Sequence, residues 1–577
     1  MEKFSLKLHD VRKGYSHDQD KLIDPRETVA RLKARLAGLD LDILQDTVRI
    51  DSGRLGIPVY FSRCGKDARK ITGSRKQMGK GATAPQAEAS AVMELAERFS
   101  LFSFRADPAN FRQATYRQVA DQALSFGTIA LSVNDTSEDP ELARRVFEDL
   151  PLQWTRAFSL TDSRSVLVPF NWFYAINEYN GSSAGNCPEE ALVQGISEIV
   201  ERHVSALVAR GRLSVPLIEK ASIKDPVALG LLDKFDKAGI ELFISDFSLD
   251  VGIPTVGVLA WDPATFPARS EIVWTAGTTP CPVKALCRAL TEVAQLGGDF
   301  NSGSSYVASG LPKPKAMDEV KFITDPGAAT TIDRLPDLAD DNLKTEVENL
   351  VGALARKNME VLTVDIGHPD LLVPAFYTMV PGAEFRERAA NSSVAMICAR
   401  LTAETLPAAE AMARLESMAG LLGARYYILF YQGKLNHDLG RSEQALACLN
   451  RALECDPPAE DAASIYSYIG ICLKDRGRFD QALEALSEGA KLDRERTDIY
   501  NLMGYCHFKK QQYAEAVACF EKVIDLDPGS AIDYANLAVN YRALGQTDKA
   551  VGYYRLALKL DGSLEFARRH LRELGGG

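Results

Sequence analysis

Gly81-Ala82-Thr83-Ala84, followed thirteen residues after its glycine by Glu94-Leu95-Ala96-Glu97-Arg98, has a counterpart further along the chain. It is Gly185-Asn186-Cys187-Pro188, followed at the same interval by Glu198-Ile199-Val200-Glu201-Arg202. The offset is 104 positions throughout, and Ala87 and Ala191 coincide as well. A glycine turn leading into a helix that ends Glu-x-x-Glu-Arg is therefore used twice. Glu94/Glu97 and Glu198/Glu201 are (i, i+3) pairs, so each pair shares one helix face. If the two copies pack together, four carboxylates converge, and they repel unless cations neutralise them. Hard oxygen ligands suit Mg²⁺, which seldom sits in an all-protein cage and usually brings phosphates with it. The first expectation is a Mg-nucleotide site.

At 577 residues the chain is too long for one core and should hold two or more domains. Its 46% hydrophobic and 25% charged residues are ordinary for a globular protein. A net charge of −11 argues against general binding of nucleic acid or anionic membranes. No apolar run approaches the roughly 18 residues of a membrane span, and Met1-Glu2-Lys3-Phe4-Ser5-Leu6-Lys7 does not resemble a signal peptide. The ten cysteines show no C-x-x-C and no zinc-like spacing. A reduced cytoplasm is the consistent location.

The two parts of the chain are built differently. Gly433, Gly470, Gly504 and Ala538 fall at intervals of 37, 34 and 34. Twelve residues after each comes Ala445, Ala482, Ala516 or Ala550, and four further on Leu449, Leu486, Phe520 or Tyr554. Pro457 and Pro528 close two of the units, and Pro457-Pro458-Ala459-Glu460-Asp461 absorbs the longer first interval. This is the tetratricopeptide pattern, about four all-α repeats over 426–577, and such solenoids present a groove to a protein partner. Cys448 with Cys519, and Cys472 with Cys506, share repeat positions and read as small packing residues.

Residues 1–405 read as α+β, with helices laid on mixed sheets. Strands are expected at Ile240–Phe247, Thr255–Trp261, Ile272–Ala276, Val361–Ile366 and Val373–Met379. Helices are expected at 86–103, 189–210, 283–297 and, mostly polar, 342–357. Asn301–Asp341 reads as a long surface insertion or partly mobile loop, and about 402–425 as a bridging helix, assigned to 406–425.

On the second motif helix, with Glu190 at zero, Gln194, Glu198 and Glu201 fall at about 40°, 80° and 20°. Leu192, Val193, Ile196, Ile199 and Val200 fill the arc from about 180° to 300°. Alone, that is an amphipathic helix with a solvated face. A third helix adds Arg288 with Glu292 at (i, i+4), by itself a surface ion pair. Gly73-Ser74-Arg75-Lys76-Gln77-Met78-Gly79-Lys80-Gly81 departs from a P-loop in spacing and puts Gly81 where Ser or Thr is required. Gly79-Lys80-Gly81 could still offer a cation and backbone amides to phosphate, or be a plain turn. His203 lies on the aliphatic side and reads as a packed histidine.

Together these residues resemble the YcaO family, whose nucleotide-binding pattern runs S-x-x-x-E-x-x-E-R, then S-x₆-E-x-x-x-Q, then R-x-x-x-E. Ser90, Glu94, Glu97 and Arg98 match the first motif; Ser183, Glu190 and Gln194 match the second, with Asn186 in its turn. Glu198, Glu201 and Arg202 follow, and Arg288 with Glu292 completes the third. Lys21 and Thr28 match in spacing residues that touch nucleotide in some members, and Gly56-Ile57-Pro58-Val59 and Val380-Pro381-Gly382 also look familial. The resemblance covers roughly 20 to 400.

The resemblance implies ATP- and Mg²⁺-dependent activation of a peptide backbone amide through phosphorylation of its oxygen. It implies that Glu94, Glu97, Glu198 and Glu201 hold Mg²⁺, that Arg98, Arg202 and Arg288 stand near phosphates, and that Ser183, Asn186, Glu190 and Gln194 line the nucleotide pocket. No residue stands out as a general base. The product would be a thioamide, with a TfuA-like sulfur-supplying partner, or an azoline. An accessory factor for methylthiolation of a small-subunit ribosomal protein, or a scaffold that has lost activity, stay open. Gln295-Leu296-Gly297 lacks the arginine that often follows the third motif, and the chain ends Leu574-Gly575-Gly576-Gly577 rather than in a Pro-rich tail. These departures tilt the expectation toward thioamidation of a peptide or protein substrate. Dimers are common among family members.

Overall fold

The computed structural model of the protein describes residues 5–575 apart from 52, 74, 75, 134, 136–138, 298–310, 312, 313, 386–391 and 528. Pro528, Ser74, Arg75 and the start of the Asn301–Asp341 stretch thus lie outside the described residues. The chain divides into two compact units, Met1–Pro140 with Phe147–Val394, and Glu141–Val146 with Ala395–Gly577.

Among the described residues the first unit holds three sheets. Leu44–Arg49, Val59–Cys64 and Lys76–Lys80 form an antiparallel meander. Val273–Thr278, Thr255–Trp261, Glu241–Asp246, Leu217–Ile218 and Ala329–Thr330 lie side by side in that order, antiparallel except for the last pair. A third sheet runs Arg112–Ala114, Leu152–Ser159, Leu362–Asp365, Ala375–Met379 and Ser182–Ala184, with Arg164–Pro169 paired to Leu152–Ser159.

Side-chain alternation explains the layers. In Thr255–Trp261 the residues Val256, Val258 and Ala260 face one core, with Leu286, Leu290 and Val293 of the third motif helix, Pro282–Gly297. Leu259 and the neighbouring Trp274 and Ala276 face another, with Ile196, Val200 and Val204 of the second motif helix, Pro188–Gly211. A strand covered on both faces has no polar alternation to keep, hence its unbroken apolar run. The first motif helix, Ala84–Ala106, lays Val92, Leu95 and Phe99 against Cys64 of the meander, Ile43 just before it, and Val29 and Leu32 of helix Pro25–Ala37.

Four expectations need correction. The helix at Leu343–Ala355 is not a mostly polar one: it buries Leu343, Val347, Leu350, Val351 and Leu354. Residues 314–341 are not a plain surface insertion, since Val320, Ile323, Ile332 and Leu335 are core residues. Residues 402–425 are not one helix. Val394–Thr405 and Ala408–Leu422 are separated at Pro407, which cannot continue a helix that needs its N–H. Gly79 and Lys80, read as part of a turn, end a strand, Lys76–Lys80.

The second unit carries four helix pairs: Tyr426–Asp438 with Ser442–Leu453, Ala459–Asp475 with Phe479–Leu492, Thr497–Lys509 with Tyr513–Leu526, and Ala531–Ala543 with Thr547–Leu560. Glu565–Glu573 follows the last pair. The periodic positions do what their spacing predicts: Ala445, Ala482, Ala516 and Ala550 are fully buried. None of the ten cysteines forms a disulfide. Among the described residues, no helix is long and apolar enough to cross a membrane.

A methyl group on Gly470 would come within 2.6 Å of Leu486 Cγ, itself fully buried, whereas one on Gly552 meets nothing within 4 Å. Gly470→Ala should destabilise the array by about 1–3 kcal/mol through overpacking. Gly552→Ala, in an open helix interior, should stabilise it by up to about 1 kcal/mol. Urea titration followed by far-ultraviolet circular dichroism separates the two; equal shifts would refute the packing account.

Candidate functional site

The two glycine turns are seated by the same contact. A Cβ on Gly81 would stand 2.8 Å from the Ala87 nitrogen, and one on Gly185 would stand 2.5 Å from that of Ala191. Only a residue without a side chain lets each turn lie this close over the first turn of its helix. Thr83 Oγ1 accepts from Gln86 N at 3.4 Å, and Cys187 Sγ from Glu190 N at the same distance, capping the two helices alike. The repeat is thus a structural unit that aims a Glu-x-x-Glu-Arg face, and both faces line one cleft of about 700 Å³.

Within that cleft the copies also match in geometry. Arg98 lies 3.7 Å from Glu94 and Arg202 lies 3.7 Å from Glu198, both as (i, i+4) pairs. Glu97 takes Arg98 Nη1 at 2.8 Å and accepts from Ser182 Oγ at 2.5 Å. Glu198 accepts from Gly181 N at 3.3 Å. Glu201, 4% exposed, accepts from Arg288 Nε at 3.2 Å and from Thr278 N at 3.1 Å. Arg288 Nη1 also donates to Gln194 Oε1 at 3.2 Å. Glu292 pairs with Lys80. The expected Arg288–Glu292 surface pair is therefore replaced by two cross-element pairs inside the cleft, and Arg288 finds in Glu201 a better-buried acid than Glu292.

The other end of the cleft is a hydrogen-bonding cluster around Glu190, which is 4% exposed. Asn186 Nδ2 donates to it at 3.0 Å, Leu22 N at 2.8 Å, and Lys21 Nζ lies at 3.7 Å. Thr28 Oγ1 donates to Asn186 Oδ1 at 3.1 Å. Lys21 and Thr28, placed by spacing alone, stand among these residues. Ser90 lines the cleft as well. Ser183 does not: it is fully buried on the strand beneath the second motif helix, where a Cβ on Gly195 would lie 2.7 Å from its hydroxyl.

Several lining or supporting groups escaped the sequence reading. Asp18, 1% exposed, accepts from Ala82 N at 2.9 Å and Tyr15 Oη at 2.7 Å, tying the N-terminal segment to the first glycine turn. Glu189 accepts from His9 N at 2.7 Å. Tyr179 lies 4.3 Å beneath the Arg98 guanidinium. Asp18 and Tyr179 are single residues in irregular backbone, with no period to betray them, and Glu189 stands in the first turn of the second motif helix, off the motif positions. Lys80 was visible only as part of a glycine-flanked turn. His203 is packed, its Nδ1 accepting from Glu384 N at 3.0 Å, and burial lowers its pKa.

Electrostatics show what the cleft lacks. Lys21, Lys76, Lys80, Arg98, Arg202 and Arg288 line it together with Glu94, Glu97, Glu178, Glu190, Glu198, Glu201 and Glu292. Burial raises the Glu94 carboxyl, and Glu198 adds like charge. Burial also pushes Glu97 up to about 8 despite Arg98, with Glu198 and Glu94 contributing repulsion. Burial and the Arg288 guanidinium bring Lys80 down to about 7. The carboxylates do not converge on one point; among the described residues no three acidic, imidazole or thiol groups could cage a metal ion by themselves. Paired carboxylates along a cleft fit Mg²⁺, which takes one or two protein carboxylates and completes its shell with phosphate and water.

A family model described as YcaO cyclodehydratase, ATP- and Mg²⁺-binding, matches residues 78–384. Tetratricopeptide-repeat models match residues 427–458 and 495–563. An uncharacterised protein of Methanothermobacter thermautotrophicus is 28% identical over 382 residues, which are 63% of this chain and 94% of that one. An uncharacterised protein from the tfuA 3′ region of Rhizobium leguminosarum bv. trifolii is 26% identical over 405 residues, 64% of this chain and 90% of that one. A solved heterocyclase in complex with substrate and cofactor aligns with TM-score 0.55 at 21% identity over 66% of this chain, which spans 55% of the heterocyclase. The structure of YcaO from Methanopyrus kandleri bound with AMPPCP and Mg²⁺ aligns with TM-score 0.51 at 24% identity, covering 65% of this chain and 95% of that one. Both structural likenesses are likenesses of fold.

Because Glu97 holds its proton near neutrality, a divalent cation that engages it must displace that proton. At pH 7, Glu97→Gln should lower the number of protons released on Mg-nucleotide binding by about one relative to the unaltered chain, read from heats in buffers of unlike ionisation enthalpy. Lys80, which sheds its proton near 7, regains it as phosphate binds and adds the opposite sign in both chains. The contribution of Glu97 to affinity should rise with pH and level off above about 8. Equal proton release by the two chains would refute this assignment.

Proposed function

Since the chain belongs to the YcaO family, whose model covers more than half of its length and is described as ATP- and Mg²⁺-binding, we propose that it activates a backbone amide of a peptide or protein by phosphorylating the amide oxygen. The observation that carries this reading is the opening of both Glu-x-x-Glu-Arg units on one cleft, closed by Arg288 on Glu201. We assign the chemistry to the YcaO-like part, 1–405, and recognition to the repeats, 426–577.

The roles follow from placement. Glu190 to Glu201 is eleven residues, about 16 Å along the helix axis, a span that suits a nucleoside triphosphate laid end to end. Lys21, Thr28, Asn186 and Glu190 offer donors and acceptors for the nucleoside. Arg98, Arg202, Arg288 and Lys80 face the phosphates; Glu94, Glu97, Glu198 and Glu201 would hold Mg²⁺, with Gln194 and Glu292 orienting Arg288 and Lys80. Ser90 stands on the first motif helix beside the nucleotide. Ser183 is assigned to packing under Gly195. When bound, Mg²⁺ neutralises charge on the transferring phosphoryl group, the main demand of phosphoryl transfer.

For thioamide formation, hydrosulfide adds to the carbonyl carbon, and the carbonyl π electrons move to oxygen. That oxygen attacks the γ-phosphorus, and the bond to ADP breaks. The S–H proton is then lost to phosphate as C=S forms and the C–O bond breaks, releasing phosphate. Arg98 and Arg202 neutralise the oxygen and phosphoryl charges as they develop. The relative from the tfuA region, matched over 90% of its length, supports a TfuA-like sulfur-supplying partner over azoline formation.

Titration of AMPPCP with Mg²⁺ into the chain should give binding that weakens at least about 100-fold in both Glu94→Gln and Glu198→Gln, as loss of a metal ligand entails. Binding untouched by either change would defeat the site. In cells, complementing a deletion with the unaltered gene should restore a sulfur-for-oxygen mass exchange on one peptide, absent with Glu94→Gln. Loss of water in its place would assign azoline formation.

A further inference from the structure

Glu346, on helix Leu343–Ala355, is wholly buried, and no step of the proposed chemistry uses it. Its Oε1 lies 2.6 Å from Lys13 Nζ and accepts from Asp340 N at 3.3 Å, while its Oε2 has no hydrogen-bond partner among the described residues. Lys13, 9% exposed, divides its ammonium between Glu346 and Asp20, whose Oδ2 stands at 2.9 Å. Burial pushes the Glu346 carboxyl up to about 7 despite that cation. A buried charge group of this kind is a weak source of stability, since apolar residues of similar volume serve as well or better. Its better-attested use is to fix one placement of the elements it joins.

What Lys13 joins is a loop. Lys13 N donates to Asp341 O at 3.0 Å and Leu343 N to Val11 O at 2.8 Å, which ties the segment entering the loop to the start of the Glu346 helix. Gly14 N and Tyr15 N then both donate to Lys21 O, and Lys21 N to Tyr15 O, closing residues 14–21 on themselves. A Cβ on Gly14 would stand 2.3 Å from Leu22 O, so the two sides of this neck touch through backbone. Lys13 and Asp20 join the same neck through side chains. The loop then meets all three motif helices at or just before their first turns. Asp18 accepts from Ala82 N, Leu22 N donates to Glu190 Oε2 at 2.8 Å, and Lys284 Nζ donates to Ser16 O at 2.7 Å. Gln19, Lys21 and Thr28 line the cleft, whereas Lys13, Asp20 and Glu346 are not among its described lining residues.

We infer that Lys13 is a positioning residue for the nucleotide: shared between Glu346 and Asp20, it fixes the neck of the loop, and through the neck it sets Lys21 and the Leu22–Glu190 bond at the nucleoside end of the cleft. The inference deepens the proposed function and rests on its nucleotide reading. It also gives helix Leu343–Ala355, which contributes no described lining residue, a task in binding. The effect is confined to one end. Glu94, Glu97, Glu198 and Glu201 stand some two to four turns further along the two motif helices, beyond the loop's contacts.

The test titrates AMPPCP into the full chain with Mg²⁺ and again with EDTA. Lys13→Met should weaken binding at least about tenfold, yet leave the factor by which Mg²⁺ tightens it unchanged within about twofold. Asp20→Asn, at a less buried position, spares the Lys13–Glu346 pair and should weaken binding in the same way. The double variant should bind no worse than Lys13→Met alone, since both act through one neck. Circular dichroism checks that each variant is folded, and Asp20→Asn decides the matter if Lys13→Met is not. Unchanged affinity in the folded variants, additive losses in the double variant, or an equal fall in the Mg²⁺ factor, as general loosening of the cleft would give, would each overturn the inference. An unaltered chain that binds no AMPPCP would sink the nucleotide reading and the inference with it, whereas binding that the folded variants keep sinks the inference alone.

Discussion

The first unit depends on one constraint: two helices must lie almost in contact with the turns that lead into them. Gly81 over Ala87 and Gly185 over Ala191 are backbone-to-backbone approaches that a single methyl group would prevent. Fixing each turn fixes the helix start, and the helix start fixes where Glu94, Glu97 and Arg98, or Glu198, Glu201 and Arg202, fall some three turns later. The second motif helix is further clamped, packing Ile196, Val200 and Val204 against Leu259, Trp274 and Ala276. Its charged stripe has one direction left to face, and that direction is the cleft.

Periodic signals made much of this legible. The repeat array announces itself in glycine and alanine spacing because each helix pair has the same packing problem to solve. The buried strands around Thr255–Trp261 announce themselves as unbroken apolar runs. The meander strands Leu44–Arg49 and Lys76–Lys80 carry no such signal, since one face is exposed and their sequences are largely polar. Helix Leu343–Ala355 misled for the opposite reason: its Glu346 counts as polar in sequence but is wholly buried against Lys13.

The site divides the same way. The Glu-x-x-Glu-Arg units could be read because they occur twice. Which cation each acid would meet could not, since Arg288 with Glu201 and Lys80 with Glu292 join residues 87 and 212 positions apart. Ser183 matched a motif by spacing, yet strand alternation turns it beneath Gly195. A spacing rule places a residue on an element; only the pairing of that element with its neighbours decides which way the side chain points.

The cleft would be a poor device if its only task were stability. Burying paired charges costs several kcal/mol per ion before attraction returns it, and apolar residues of similar volume often serve as well or better. Here the pairing is also incomplete. Glu97 holds its proton up to about 8 and Lys80 sheds one near 7, so the acids want more positive charge and the lysine more negative. A ligand that adds only anions would satisfy Lys80 and worsen Glu97; a lone metal ion would do the reverse. A polyphosphate bound together with Mg²⁺ supplies both signs where each is short, and that demand comes from the residues themselves.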